Sequence, residues 1–319
     1  MNALVTGGAG FIGSNLVDRL LADGHTVTVY DNLSTGQRSN LKAAARSERF
    51  WFEQGDLLDR ANLIEVMNGH DIVFHLAASP DVRSQNYCSV NELEQNVVAT
   101  ANVLEAMLAT RTRRLVFCST GAVYGEARPI PTPEDAAFPV QTSIYGASKL
   151  AAEGLIAAYC KTSDLQAVVL RFVSIIGKRC THNHLLELIA QLQHHPHYLS
   201  ILGTGRECKT YLDVSDCVAG ILHAVARADE PYSVFNLGSD QYCELDECIR
   251  WICEELRVRP RLEYALDRRG LASMPPFIFL DTSKLRALGW RPRMSLQQAV
   301  RALVQQQSQM RLRPAARAA

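Results

Sequence analysis

The segment that most constrains this chain is Thr6-Gly7-Gly8-Ala9-Gly10-Phe11-Ile12-Gly13. Residues 2–6 read as a short apolar strand, and residues 11–21 carry the apolar spacing of a helix. The glycines therefore stand at a strand-to-helix turn, where backbone N–H groups and the positive end of the helix dipole converge. That geometry suits a pyrophosphate. A glycine pattern alone is weak, and Asp31 strengthens it. It follows the next apolar run, residues 25–30, at the distance where a carboxylate takes the ribose hydroxyls of an adenosine. The opening of the chain thus predicts a strand-turn-helix-strand unit that holds a dinucleotide.

A second motif lies near the middle, Tyr145-Gly146-Ala147-Ser148-Lys149. Residues 143–162 read as a helix, and the four-residue spacing puts Tyr145 and Lys149 on one face. A free tyrosine titrates near 10. A neighbouring ammonium favours the phenolate, which predicts a tyrosine able to act as base near neutral pH. Lys149 is also placed to bond the ribose of a bound nicotinamide.

Apolar strand-like runs at residues 26–30, 50–54, 72–76, 115–119 and 167–172 alternate with helical stretches such as 90–109 and 143–162. This rhythm predicts an α/β protein with a doubly wound parallel Rossmann sheet. Beyond Arg171 the rhythm breaks: residues 185–194, 214–226, 245–256 and 296–306 read as helices and 199–202 as a short extended piece. Residues 233–237 read as a strand returning to the main sheet. The expected division is a dinucleotide-binding domain of residues 1–173, joined again by 205–240. A smaller interleaved C-terminal substrate lobe comprises 174–204 and 241–309. The tail from Met310 is expected to be disordered or an interaction arm.

Composition narrows the class. With 319 residues, 47% hydrophobic and 21% charged, the chain can bury a full core. A formal net charge of zero offers no attraction to nucleic acid or an anionic membrane. No apolar run approaches the roughly 18 residues of a membrane-spanning helix, and no basic segment precedes the first strand. A soluble, cytoplasmic enzyme is the expectation. Nine cysteines without C-x-x-C spacing read as reduced thiols. Histidines gather at His182, His184, His194, His195 and His197, but no pair at i, i+4 has a carboxylate partner, so no metal is expected.

These motifs resemble those of the extended short-chain dehydrogenase/reductases, specifically the nucleotide-sugar epimerases and dehydratases. The resemblance runs from Ala3 to about Gln305 and is carried by several further segments. They are Asp31-Asn32-Leu33-Ser34-Thr35-Gly36, Gly55-Asp56-Leu57, His75-Leu76-Ala77-Ala78, Asn96, Ser119-Thr120-Gly121-Ala122-Val123-Tyr124-Gly125, Asn236-Leu237-Gly238 and Leu288-Gly289-Trp290. It implies NAD as cofactor, contacted by Gly7, Gly10, Phe11, Ile12 and Gly13 and by Asp31, Asn32, Ser34, Thr35 and Gly36. Asp56 and Leu57 match the pair at adenine, and Leu76, Ala77 and Ala78 the turn over the pyrophosphate. Asn96, Ser119, Tyr145 and Lys149 complete the implied cofactor set. Thr120, Tyr145 and Lys149 match the catalytic triad, and the long helices at 90–109 and 143–162 match those of a family homodimer.

Two residues discriminate among the reactions of such enzymes. In the 4,6-dehydratases that this chain resembles, Asp-Glu follows the threonine and supplies acid and base. Here those places hold Gly121 and Ala122, which exchange no proton. The resemblance therefore implies a 4-epimerase of a nucleotide-linked sugar, a UDP-hexose or UDP-hexuronate. Tyr145 would take the 4-hydroxyl proton while hydride leaves C4 for the cofactor and later returns to the other face. A nucleotide-sugar dehydratase or keto-sugar reductase and a non-catalytic NAD-binding regulator are the alternatives; Gly121 and Ala122, Asp31, which repels a 2′-phosphate, and the intact triad count against them in turn. Substrate contacts implied are Ser79, Thr120, Tyr145, Ser174, Arg179, Lys209 and Arg269. The substrate half departs from the family pattern: Ser174 and Lys178 stand where Asn and Pro are usual, and Lys209 where an arginine clamps phosphate. Arg268 and Arg269 lie upstream of the usual arginine position, and either could reach the diphosphate.

Overall fold

The computed structural model describes residues 1–79, 89–126, 128–137, 140–265 and 277–312. Its centre is a seven-stranded sheet built from β1 (Asn2–Thr6), β2 (Thr26–Asp31), β3 (Phe50–Gln54), β4 (Ile72–His75), β5 (Arg114–Thr120), β6 (Gln166–Phe172) and, much later, β11 (Tyr232–Leu237). Between β6 and β11 come four short strands: β7 (Ser174–Ile176), β8 (Tyr198–Leu202), β9 (Cys208–Lys209) and β10 (Tyr211–Asp213). β12 (Cys243–Glu244) and β13 (Arg261–Ala265) follow. The spatial order of the main sheet is β11-β6-β5-β4-β1-β2-β3, and every neighbouring pair in it is parallel.

The helices are α1 (Phe11–Ala22), α2 (Arg60–Met67), α3 (Ser89–Glu92), α4 (Ala99–Thr110), α5 (Ile144–Thr162), α6 (His184–His194), α7 (Val214–Arg227), α8 (Leu245–Leu256), α9 (Ser283–Ala287) and α10 (Leu296–Leu312). Successive strand residues point to opposite faces, and both faces are covered. Ala3, Val5, Ile72 and Phe74 join a core with Leu16 and Val17 of α1 and Cys217 and Ile221 of α7. Leu4 and Val73 join the opposite core with Leu63 of α2, Leu104 of α4 and Ile156 of α5. Double burial is why these strands read as unbroken apolar runs.

A third core holds Leu185, Leu188 and Leu192 of α6, Leu245 and Ile249 of α8, and Val300 and Leu303 of α10. The chain leaves the main sheet to build part of this lobe, returns through α7 and β11, and leaves again. Three small two-stranded sheets, β7 with β10, β9 with β12 and β8 with β13, brace these crossings. β13 is exposed along its whole length, so the alternation of Arg261, Leu262, Glu263 and Tyr264 marks no buried face.

Two helical segments differ from expectation. α10 continues through Gln305, Gln306 and Gln307 to Leu312, past the predicted end at Gln306 and into the tail predicted from Met310. Glutamine is a good helix former, so propensity carries the helix on after the apolar pattern fades. Residues 313–319 lie outside the described residues. Between α3 and α4 the helix widens into a π-helical stretch, Leu93–Val98, which apolar spacing does not signal.

Asp216 on α7 ties the C-terminal segment to the main body. Its buried carboxylate accepts the backbone N–H groups of Arg293 and Met294, each at 3.0 Å. Asp216→Ala should leave both donors unmet and lower the unfolding free energy by about 2–4 kcal/mol. Urea denaturation followed by circular dichroism measures this.

Candidate active site

The glycine turn is shaped by close approach. Gly7 has a φ of +69°, and a Cβ there would lie 2.6 Å from the Ala77 nitrogen. A Cβ on Gly13 would overlap the Gly7 carbonyl oxygen. Gly10 caps α1 with no side-chain hydrogen bond, so the first-turn N–H groups keep their orphan donors. Phe11 and Ile12 open the helix and pack back on the core. The result is a cradle of backbone donors, bare of Cβ atoms where a diphosphate would lie, with Leu76, Ala77 and Ala78 facing it from the end of β4. This fits the pyrophosphate of a dinucleotide.

The adenosine end follows from β2 and β3. Asp31, buried at the end of β2, accepts Ala9 N at 2.9 Å and Leu33 N at 2.8 Å. These bonds fix the carboxylate and leave further lone pairs on each oxygen for ribose hydroxyls. Gly36 lies over it: a Cβ at Gly36 would sit 2.9 Å from Asp31 Oδ1. Asn32 donates to Asp56 Oδ2 at 2.9 Å and accepts Ser34 N at 2.9 Å. Leu57 is buried against the same edge as Tyr30. Thr35 belongs to the loop between Asn32 and Gly36. The acids and glycines predicted at the cofactor thus gather at the carboxyl ends of β1, β2 and β3, the edge where open α/β sheets take ligands.

Thr120, Tyr145 and Lys149 meet at the carboxyl end of β5. Ser143 caps α5, its hydroxyl accepting Gly146 N at 2.9 Å, which starts the helix just before Tyr145. The Thr120 oxygen accepts Ala122 N at 3.1 Å and shares a hydrogen bond with the Tyr145 phenol. Lys149, one turn on, is fully buried with its Nζ 3.9 Å from the centre of the Phe117 ring. Burial lowers the lysine from 10.5 to about 8, opposed by Cys118 and Glu153.

The phenol departs from the sequence expectation. Burial pushes Tyr145 from 10.0 up to about 12, with Cys118 adding to the rise and the Thr120 bond opposing it. Desolvation wins over the lysine, whose ammonium is turned to the aromatic face.

His75 is buried beside Lys149. Its Nδ1 lies 2.7 Å from the Thr6 hydroxyl and its Nε2 3.0 Å from the Thr100 hydroxyl. Thr100 spends its hydrogen on Asn96 O at 2.6 Å, so it accepts from Nε2–H. Burial first, and Lys149 second, lower this imidazole from 6.5 to about 3, which keeps it neutral. Asn96 sits in the π-helical stretch, donating to Ser148 Oγ at 2.9 Å and to Ser79 O at 3.2 Å. Its Oδ1 accepts Ser79 N at 2.8 Å. The widened turn thereby joins the loop after β4 to α5.

Some predicted contacts are placed otherwise. The Ser119 hydroxyl donates to Glu153 of α5. Glu153 is in turn paired with Arg171, the two side chains only 3% and 4% exposed. Arg179 is engaged by Asp18 of α1 at 2.6 Å, on the cofactor side of the cleft. Ser174 begins β7 exposed, and Lys209 lies in β9 opposite Cys243. Arg268 and Arg269 lie outside the described residues. Sequence reading missed the role of Glu153, which falls one turn past Lys149 on the same helix face, and of Arg171, a charge inside the apolar run Ala167–Phe172. Both positions were signals, since a buried charge must be paired.

A doubly wound sheet with this cradle, an acid at the ribose position and a Tyr/Lys pair beside a threonine defines an enzyme of dinucleotide-dependent proton and hydride chemistry. The chain belongs to the NAD dependent epimerase/dehydratase family, whose model matches residues 3–238. It is 30% identical over 306 residues to the putative UDP-glucose 4-epimerase of Methanocaldococcus jannaschii, covering 94% of this chain and 96% of that one. Among solved structures, a UDP-galactose 4-epimerase superposes with a TM-score of 0.86 at 33% identity, covering 97% and 99% of the two chains. The Bacillus cereus UDP-glucuronic acid 4-epimerase, in complex with UDP-glucuronic acid and NAD, gives 0.87 at 27%, covering 97% and 100%.

Lys149 also makes stability depend on pH in a defined direction. From about pH 8 up to its ordinary 10.5 it is neutral in the folded chain but charged in the unfolded one. The unfolded state binds more protons there, so the cost of burying this group shrinks as pH rises. The stability of the wild type relative to Lys149→Met should therefore grow between pH 7 and 9, by up to about 1.4 kcal/mol per pH unit once above 8. Paired denaturant titrations of the two proteins supply the comparison.

Proposed function

We propose that this protein is an NAD-dependent nucleotide-sugar 4-epimerase acting on a UDP-hexose or UDP-hexuronate. The observation that carries the reading is a triad set against an apolar wall. Thr120 and Tyr145 share a hydrogen bond beside Lys149, while a Cβ at Gly121 would lie 2.6 Å from Ile278 Cγ2. The place where related dehydratases carry a carboxylate is closed by Ile278, and Ala122 titrates nothing. Water elimination lacks its acid and base; reversible oxidation at one carbon lacks nothing. The relatives named above, all 4-epimerases of UDP-sugars, point the same way.

NAD, when bound, would supply the hydride acceptor and donor and a positive ring charge. Tyr145 takes the proton of the sugar 4-hydroxyl and later returns it. Thr120 hydrogen-bonds that oxygen, and the Lys149 ammonium favours the phenolate once the site is filled. Asp31, a fixed carboxylate at the ribose, disfavours a 2′-phosphate. Lys209 would meet the diphosphate as a point charge, without the two-pronged fork of an arginine.

The assembly is a homodimer in this reading. Val90, Leu93, Val98 and Leu108 leave an exposed apolar stripe along residues 89–110, the first two more than half exposed. On α5, Ala147, Ala151, Gly154 and Ala158 form an exposed row of small residues. A Cβ on Gly154 would meet nothing within 4 Å, so packing within this chain does not require that glycine. Gly154→Glu should convert a dimer to a monomer in sedimentation velocity while leaving the fold intact.

Two measurements test the reaction. Substrate deuterated at C4 should give a C4-inverted product that keeps the label, with no water lost and no solvent deuterium at C5 in D₂O. A 4-keto-6-deoxy product, or solvent label at C5, would mean a dehydratase. Tyr145→Phe should lower turnover by roughly 10²-fold or more while NAD still binds.

A further inference from the structure

Beneath the triad runs a polar layer that the reaction as written does not use. Ser119 of β5, Arg171 of β6 and Asn236 of β11 lie side by side, paired in register across three neighbouring strands. Glu153 of α5 faces this row. Its carboxylate accepts the Ser119 hydroxyl and is held by Arg171 through Nε at 3.2 Å to both oxygens and Nη2 at 2.7 Å. Arg171 Nη1 donates to the Tyr124 hydroxyl at 2.7 Å and to Glu134 O at 2.9 Å. Tyr124 donates to Asn236 Oδ1 at 2.9 Å, and Asn236 donates to Thr132 O and Asp281 O.

An ion pair this deep is a poor source of stability, because desolvating two charges consumes most of what their attraction returns. Apolar residues of similar volume would serve packing as well. What Glu153 does, and an apolar residue would not, is join the two elements that carry the triad, by accepting the Ser119 hydroxyl of β5 while Arg171 of β6 holds its carboxylate. Glu153 stands one turn beyond Lys149 and two beyond Tyr145, and Ser119 immediately precedes Thr120. We infer that Ser119, Glu153 and Arg171 form a positioning unit that sets the Thr120 hydroxyl against the Tyr145 phenol. The inference rests on the reading of Thr120 and Tyr145 as the reacting pair. A bifurcated Arg–carboxylate contact fixes orientation as well as distance. Fixing Ser119 sets the rotation of the last β5 residues, and with it the aim of Thr120. Displacement of such a hydroxyl by about 1 Å is enough to slow a proton transfer severely.

The test reads the phenol itself. Cys118 and Thr120 face Tyr145 from β5, and Cys118, His75 and Glu153 face Lys149. In the NAD-loaded protein, ultraviolet difference titration with Tyr145→Phe as reference isolates the ionisation of Tyr145. Ser119→Ala removes one hydroxyl without uncovering a charge. It should move that ionisation to higher pH, because the Thr120 bond that favours the phenolate slackens. kcat should fall about tenfold with KM within about twofold, and Ser119→Thr should restore both. Glu153→Gln should move the titration in the same direction. If it fails to fold, Ser119→Ala still decides. An unchanged Tyr145 titration in Ser119→Ala overturns the inference, even if thermal stability and kcat both drop. A wild type without epimerase activity whose Tyr145 titration still shifts in Ser119→Ala overturns the function proposed above and leaves the positioning unit standing.

Discussion

The structure depends first on how closely two backbones pass at the end of β1. β1 sits between β2 and β4, and the chain turns to opposite sides of the sheet after β1 and after β4. The crevice that opens there is narrow because Gly7 meets the backbone of Ala77 with no room for a side chain. Everything at the cofactor edge inherits its position from that contact. α1 points its free N–H groups into the crevice, Asp31 is fixed by the nitrogen of Ala9 within the turn, and the residues after β4 lie against it. A larger residue at Gly7 would also need a backbone conformation that L side chains rarely adopt.

Desolvation governs the chemistry of the site. Tyr145, Lys149 and His75 are all shifted toward their neutral forms mainly by burial. The site is therefore poised to acquire charge when a charged ligand enters, and stays quiet without one. In contrast, Arg171 and Glu153 are opposite charges that hold each other through three hydrogen bonds. Two buried layers one residue apart along β5 thus have opposite electrostatic characters.

Much of this was legible in the sequence. Gly7, Gly13 and Asp31 announced the first unit because their roles are local: a turn and a strand end a short distance away. Tyr145 and Lys149 were legible because helix periodicity alone puts them together. The strands were visible as apolar runs, and the interleaving followed from the broken rhythm after Arg171. What was not legible was long-range. The pairing of Glu153 with Arg171 and Ser119 depends on strand order, and the engagement of Arg179 by Asp18 on the packing of a late loop against the first helix. The level of the Tyr145 phenol depends on burial, which no spacing encodes. The exposed strand Arg261–Ala265 alternates in sequence but buries neither face, so its pattern points to no core.

The return of the chain at β11 has a consequence for how the protein comes into being. Arg171 and Glu153 appear by the middle of synthesis, but the Asn236 that completes their layer emerges only after the other lobe has begun, and its partner Asp281 later still. Until then a nascent chain carries a buried charge pair with its surroundings incomplete, and the edge of β6 lies open for want of β11. Contacts this distant in sequence form slowly, because loop-closure entropy must be met before they reward it. This polar layer beneath the triad can therefore be finished only near the end of translation, and a chain cut short after its dinucleotide motifs would lack the layer's far half.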